Sequence, residues 1–170
     1  DDETSRGLGD VYKRQEQLIQ DLRKFVAYCE KRNIQPCVRL NGTTDIRWEN
    51  ISANVRWGDS IFQMFPSVQF YDYTKISNRK TKHIPNYHLT WSYSGANVQY
   101  AAKLQDALDN GMNAAVVFRK PYTRSQWRGI NVIDGDKDDL RFLDPKESIV
   151  ALYAKGDARK NTTGFVVDFN

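Results

Sequence analysis

Asn113-Ala114-Ala115-Val116-Val117-Phe118 is the stretch that decides the fold. From Ala114 onward every residue is apolar, so the segment has no face suited to water. A strand of this kind must be covered on both sides, as strands of parallel sheets are, whereas a half-exposed antiparallel strand alternates. Working outward, Gly111 just before it reads as the cap of a helix over Val98–Asn110, with Ala101, Ala102, Leu104, Ala107 and Leu108 available for packing. Strands are predicted at Tyr87–Trp91, Val68–Tyr73 and Pro36–Leu40, and a helical stretch at Trp57–Phe65 is ended by Pro66. Glu16–Asn33 is amphipathic: Leu18, Ile19, Leu22, Phe25, Val26 and Cys29 share one helical face, and Asn33 is a stop. Downstream lie Ile130–Ile133, a hairpin turn expected at Asp134-Gly135, a short Leu140–Leu143 segment, Ser148–Ala154 and Phe165–Phe169. Strands alternating with helices are the pattern of βαβ units. The expected class is α/β: part of a (β/α) barrel with parallel strands and its N-terminal strand or strands missing, or alternatively an open parallel sheet.

Residues 1–15 stand apart. Ser5–Gln15, SRGLGDVYKRQ, reverse-translates in frame to the tail of a transposase-based sequencing-library adapter, and the preceding residues fit the flow-cell primer and barcode. Residues 1–15 are therefore expected to be translated adapter. Residues 16–170 would be a single, N-terminally truncated α/β domain from a metagenomic fragment. A barrel lacking a strand exposes sheet edges, which makes aggregation the expectation for such a piece.

The chain has 170 residues with 25 Lys and Arg against 21 Asp and Glu, a net charge of +4. Residues 16–170 hold 22 basic and 17 acidic residues, or +5. This mild basic bias permits, without demanding, contact with nucleic acid or a phosphorylated ligand. The two cysteines, Cys29 and Cys37, make neither a disulfide framework nor a zinc site. They read as buried free thiols in a reducing setting. No apolar run approaches the length of a membrane span, so no membrane partner is expected.

Polar residues cluster just after the predicted strands. Ligands of parallel sheets and barrels sit at those carboxyl ends. Asn41, Gly42, Thr43 and Asp45 form one cluster, which suits either a ligand-binding turn or a helix N-cap. Asp72 and Lys75 follow the next strand, and Ser92 and Asn97 the one after. These eight residues are the expected small-ligand rim. A second set is basic and interleaved with aromatics: Lys80 and Lys82 in one loop, and Arg119, Lys120, Arg124 and Arg128 around Tyr122 and Trp127 in another. Such a pattern can clamp phosphates and stack bases, or can be a solvated loop with aromatic lids. Asp134, Asp136, Asp138 and Asp139 fail the calcium-loop pattern. His83 and His88 form no metal pair, Ser92 and Ser94 lack a nucleophile elbow, and neither a Walker loop nor a dinucleotide fingerprint is present. No catalytic residue emerges.

Five stretches carry a family resemblance: R-L-N-G-T-T-D-I-x-W-E (Arg39–Glu49), F-P-x-V-Q-F-Y-D-Y-T-K (Phe65–Lys75), N-Y-H-L-T-W-S (Asn86–Ser92), V-I-D-G-D-K-D-D-L-R-F-L-D-P (Val132–Pro145) and I-V-A-L-Y-A-K-G (Ile149–Gly156). From about Arg39 onward the chain resembles an uncharacterised bacteriophage-encoded protein family, related to what phage annotators call gene product eighty-eight. The resemblance implies a cytoplasmic place in a phage-infected or prophage-carrying bacterium. More distantly, Asn41-Gly42-Thr43-Thr44-Asp45 is similar to the Gly-Gly-Glu turn of radical S-adenosylmethionine barrels, with one Gly in place of two and Asp in place of Glu. That likeness implies S-adenosylmethionine and an iron–sulfur cluster whose cysteine ligands would lie upstream of Glu16. The expected function is binding of a small polar ligand at the strand carboxyl ends. The alternative is a non-catalytic nucleic-acid-binding module using the two basic loops.

Overall fold

The computed structural model describes the backbone of residues 2–52 and 59–169, with side chains from residue 13 onward. The chain forms two compact units, Asp1–Val38 with Arg47–Gln69, and Arg39–Ile46 with Phe70–Asn170.

In the first unit, α1 spans Asp2–Arg32. Leu22 and Cys29 are its buried positions, Leu18, Ile19 and Val26 are half-buried, and Phe25 lies at the exposed margin. Asn33 ends it in the left-handed region, at φ 52°, a conformation that Asn tolerates. β1 is only Cys37–Val38, shorter than the expected strand, and Cys37 is half-buried rather than buried. α2, Ile61–Met64, is held by a reciprocal cap: Ser60 Oγ accepts from Gln63 N at 3.3 Å and Ser60 N donates to Gln63 Oε1 at 2.8 Å. The expected helix start at Trp57 lies outside the described residues.

Most of the sheet belongs to the second unit. Its strands are β2 (Gln69–Thr74, whose first residue falls in the other unit), β3 (Tyr87–Ser92), β4 (Asn113–Phe118), β5 (Gln126–Trp127), β6 (Ile130–Asp134), β7 (Ser148–Tyr153) and β8 (Val166–Val167). They lie in the order β2-β3-β4-β7-β6-β5, with β8 on β4. All pairings are parallel except β5 with β6. β4 is the buried centre, as its apolar run requires: Asn113 to Val116 and Phe118 are all buried. Its two halves have different neighbours on one side. β3 pairs with Asn113–Ala115, and β8 takes over at Val117–Phe118. α3 (Val98–Ala101) and α4 (Leu104–Asp109) occupy the place of the single helix expected there. α4 buries Leu104, Ala107 and Leu108, whereas α3 buries nothing. Gly111 caps α4 at φ 85°.

The fold is therefore α/β with a mostly parallel sheet, and the sheet is open rather than closed into a barrel. The strand order ends where β5 folds back on β6 through Arg128 (φ 52°) and Gly129 (φ 78°), the paired positive angles of a tight hairpin turn. The hairpin expected at Asp134-Gly135 is not one, because β6 and β7 are parallel. The chain instead crosses over between them through a 3-10 turn at Arg141–Leu143. Gly135 serves close packing there: a Cβ would meet Val150 Cγ1 at 2.4 Å and Leu152 Cδ2 at 2.9 Å.

Candidate functional site

Along β2 burial alternates, so Phe70, Asp72 and Thr74 share the inward face. Asp72 is fully buried. Its Oδ1 accepts from Asn41 N at 2.7 Å, and its Oδ2 accepts from Asn41 Nδ2 at 3.2 Å and from the Tyr87 hydroxyl at 2.9 Å. Tyr87 Oη in turn accepts from Arg79 Nη2 at 3.0 Å. Arg79, itself buried, pairs with Asp45 Oδ1 at 3.2 Å. Asp45 also accepts from the Thr74 hydroxyl and from Lys75 N, both at 2.7 Å. Asn41 Oδ1 closes its own loop by accepting from Thr44 Oγ1 at 2.9 Å and Ile46 N at 3.1 Å. Three of the eight expected rim residues, Asn41, Asp45 and Asp72, thus meet in one internal network. Burial pushes the Asp72 carboxyl above its ordinary value, against the lowering pull of the Asn41 N–H, the Tyr87 hydroxyl, Arg79 and Arg39. Gly42 and Thr43 are exposed on the outside of the turn.

Lys75, Ser92 and Asn97 come together elsewhere. They line a cavity of about 500 Å³ at the carboxyl ends of β2 and β3. Its other walls include Tyr100 from α3, Lys103 from the α3–α4 junction and Phe165 just ahead of β8. Asn97 caps α3, its side chain accepting from Tyr100 N at 2.9 Å. The Tyr100 hydroxyl donates to the Ser92 carbonyl, and its ring stacks on buried Trp91 with centroids 4.8 Å apart. Burial, with the Asp45 carboxylate nearby, pushes the Tyr100 hydroxyl up to about 12, so it stays protonated as a donor. Lys75 and Lys103 are exposed, and neither ammonium has an acidic partner among the described residues. No Asp or Glu is among the residues that line the cavity. Tyr100, Lys103 and Phe165 were not legible as site residues, since no motif marks a helix face or the approach to a two-residue strand.

The opposite face of β3 presents His88 and Thr90. Above it, buried Arg141 pairs with Asp138 Oδ1 and Asp144 Oδ2, each at 3.4 Å. Burial, with Arg141 and Lys146 adding to it, lowers His88 to about 4, so the imidazole is neutral near pH 7. The Tyr73 hydroxyl, donating to Asp139 Oδ1 at 3.4 Å, is pushed by burial to about 12. Among the described residues no group of three or more His, Cys, Asp and Glu side chains is placed to hold a metal ion.

The family model described as Gene product 88 matches residues 8–168. The chain belongs to the Gene product 88 family. No curated protein and no solved structure matches it.

In this Gene product 88 family member the two basic loops sit at opposite ends of β4. Lys80 Nζ donates to Asn110 Oδ1 at 2.6 Å and Lys82 Nζ to the Asp109 carbonyl, both at the end of α4 before β4 begins. Arg119 follows directly after β4, bound to Asp168 and to the Arg159 and Asn161 carbonyls. Six strand residues put about 20 Å between the clusters. Arg124 lies over Phe169 and Arg128 over Trp127, with 5.8 and 4.4 Å to the ring centroids, which leaves Lys120 exposed at the loop. The nucleic-acid alternative gains no support from this placement.

The radical S-adenosylmethionine likeness also gains none. Its ligand turn would need the Asn41 side chain and the Asp45 carboxylate to face a cofactor. Both are spent on Asp72, Arg79, Thr74 and the turn's own backbone, and the sheet is open. These residues do not fit that cofactor. No helix among the described residues is long and apolar enough to cross a membrane.

Proposed function

We propose that this Gene product 88 family member binds a small polar ligand in the cavity lined by Lys75, Ser92 and Asn97. The observation that supports this most is their convergence. Residues from after β2, the end of β3 and the cap of α3 border one concavity at the carboxyl ends of parallel strands, the usual ligand position in open α/β sheets. Its volume, about 500 Å³, is that of a small-molecule site. The buried network of Asp72, Tyr87, Arg79 and Asp45 serves as scaffold: Asp45 accepts from the backbone N–H of Lys75 and so fixes the end of β2 beside the cavity.

The test is thermal unfolding with a panel of small polar metabolites, run on the wild type and on Ala96→Trp, which puts an indole at the cavity wall. A ligand at a hundred times its Kd stabilises by about 2.7 kcal/mol. The expected result is a raised melting temperature in the wild type that the variant loses. A ligand shift that persists unchanged in Ala96→Trp would show that the site lies elsewhere.

A further inference from the structure

Resting on that reading, we infer that the ligand is a nucleoside monophosphate, with its phosphate held by Lys75 and Lys103 and its base lying against Phe165 and Tyr100. The charge argument comes first. Lys75 and Lys103 are the charged side chains of the cavity, and neither is neutralised by an acid among the described residues. Asp45, close enough to act on Tyr100, already accepts from Thr74, Lys75 N and Arg79. Two uncompensated ammonium groups at a concave surface focus a positive potential and repel metal cations. A phosphomonoester carries a charge of about −1.5 to −2 at pH 7, which matches two lysines better than a single carboxylate does.

The walls supply the second argument. Tyr100 is fixed by its bond to the Ser92 carbonyl and by stacking on Trp91, so its ring is a rigid surface. Phe165 is 36% exposed at the cavity wall and has no ring partner among the described residues. A flat heteroaromatic base gains from such surfaces whatever its sequence identity. Gln99 also lines the cavity, and its amide makes no hydrogen bond among the described residues. It is free to meet a ribose or a base edge.

The experiment is a calorimetric titration of the full chain with AMP, GMP, CMP and UMP, and in parallel with adenosine and with inorganic phosphate. At least one monophosphate is expected to bind more tightly than adenosine and than phosphate by tenfold or more. Lys75→Ala and Lys103→Ala, both at exposed positions, should each weaken it by about tenfold, the loss of one charge-assisted contact. Phe165→Ala should weaken monophosphate and adenosine alike. Adenosine binding as tightly as AMP, with Ala96→Trp still abolishing it, would overturn the phosphate assignment and leave the cavity reading standing. Binding indifferent to Lys75→Ala, Lys103→Ala and Ala96→Trp would overturn both. No binding of any monophosphate at millimolar concentration would overturn the inference.

Discussion

Asp72 and Tyr87, on neighbouring parallel strands, share a 2.9 Å hydrogen bond inside the protein. The phenol donates to the carboxylate while accepting from Arg79, so one hydroxyl links a buried acid to a buried base. Tyr87→Phe removes that link, both the donor to Asp72 and the acceptor for Arg79 Nη2, at a cost of about 1–3 kcal/mol. Asp72→Ala removes the acceptor shared by the Asn41 N–H, the Asn41 amide and the Tyr87 hydroxyl and should cost more, about 3–5 kcal/mol. Urea unfolding of the two variants against wild type measures both. Equal and negligible losses would mean that the network contributes nothing to the fold.

The Asp72 carboxyl should make the protein gain stability as pH falls. Its folded value is raised above 3.8, chiefly by burial. A raised value means that the folded state holds the proton more tightly than the unfolded state. The contribution is therefore complete below 3.8 and is lost as pH rises through the raised folded value. Asp72→Asn removes this dependence, so wild type should gain on the variant as pH is lowered towards 4. Denaturant melts at a series of pH values give the difference directly.

His88 acts with the opposite sign. Burial lowers it from 6.5 to about 4, so the unfolded chain takes up the proton first. Stability is full above 6.5 and falls as pH drops from there to about 4, by about 3 kcal/mol in all. His88→Gln should flatten this part of the profile. Because the Asp72 and His88 effects oppose each other in acid, the single variants must be compared with wild type at each pH.

Gly135→Ala should destabilise by about 1–3 kcal/mol through overpacking. The added methyl would press on Val150 and Leu152 at the centre of β7, with the Ala151 carbonyl 3.0 Å away. Pairing the change with Val150→Ala, which vacates the space at 2.4 Å, should recover part of the loss. Additive losses in the double variant would mean that the side chain of Val150 is not what excludes the methyl.

Much of the sheet was legible because burial writes itself into composition. The run from Ala114 to Phe118 could only be a covered strand, and it is the centre of the sheet. Asn33 and Gly111 marked helix ends correctly, since both adopt the backbone angles that other residues avoid. The Asp134-Gly135 pair misled because glycine answers two different needs, and here the need is space rather than a turn. The true hairpin turn uses Arg128, a residue type without a preference for positive φ, and so carried only a weak signal. The helix break between α3 and α4 follows from tertiary packing: α4 is anchored by three buried side chains and α3 by none.

Lys75, Ser92 and Asn97 were singled out by one rule, that polar residues after parallel strands converge, and the three line one cavity. The same rule placed Asp72 on the rim, whereas its parity with Phe70 and Thr74 points it inward. That alternation was present in the sequence. Arg79, beside Lys80 and Lys82 in sequence, is buried because Asp45 and Tyr87 receive its guanidinium. No local pattern distinguishes an arginine that turns inward from its exposed neighbours Lys80 and Lys82.

The two halves of β4 have different neighbours on one side, β3 for its first half and β8 for its second. Where β3 peels away, Gly95 N–H bonds to the Gly164 carbonyl at 2.9 Å and the chain ahead of β8 becomes a wall of the cavity through Phe165. Residues some seventy positions apart in sequence must therefore meet before the pocket has a second side. On the proposed function, ligand capture would then report on the annealing of β8: the rest of the sheet could be in place and still be deaf to a ligand.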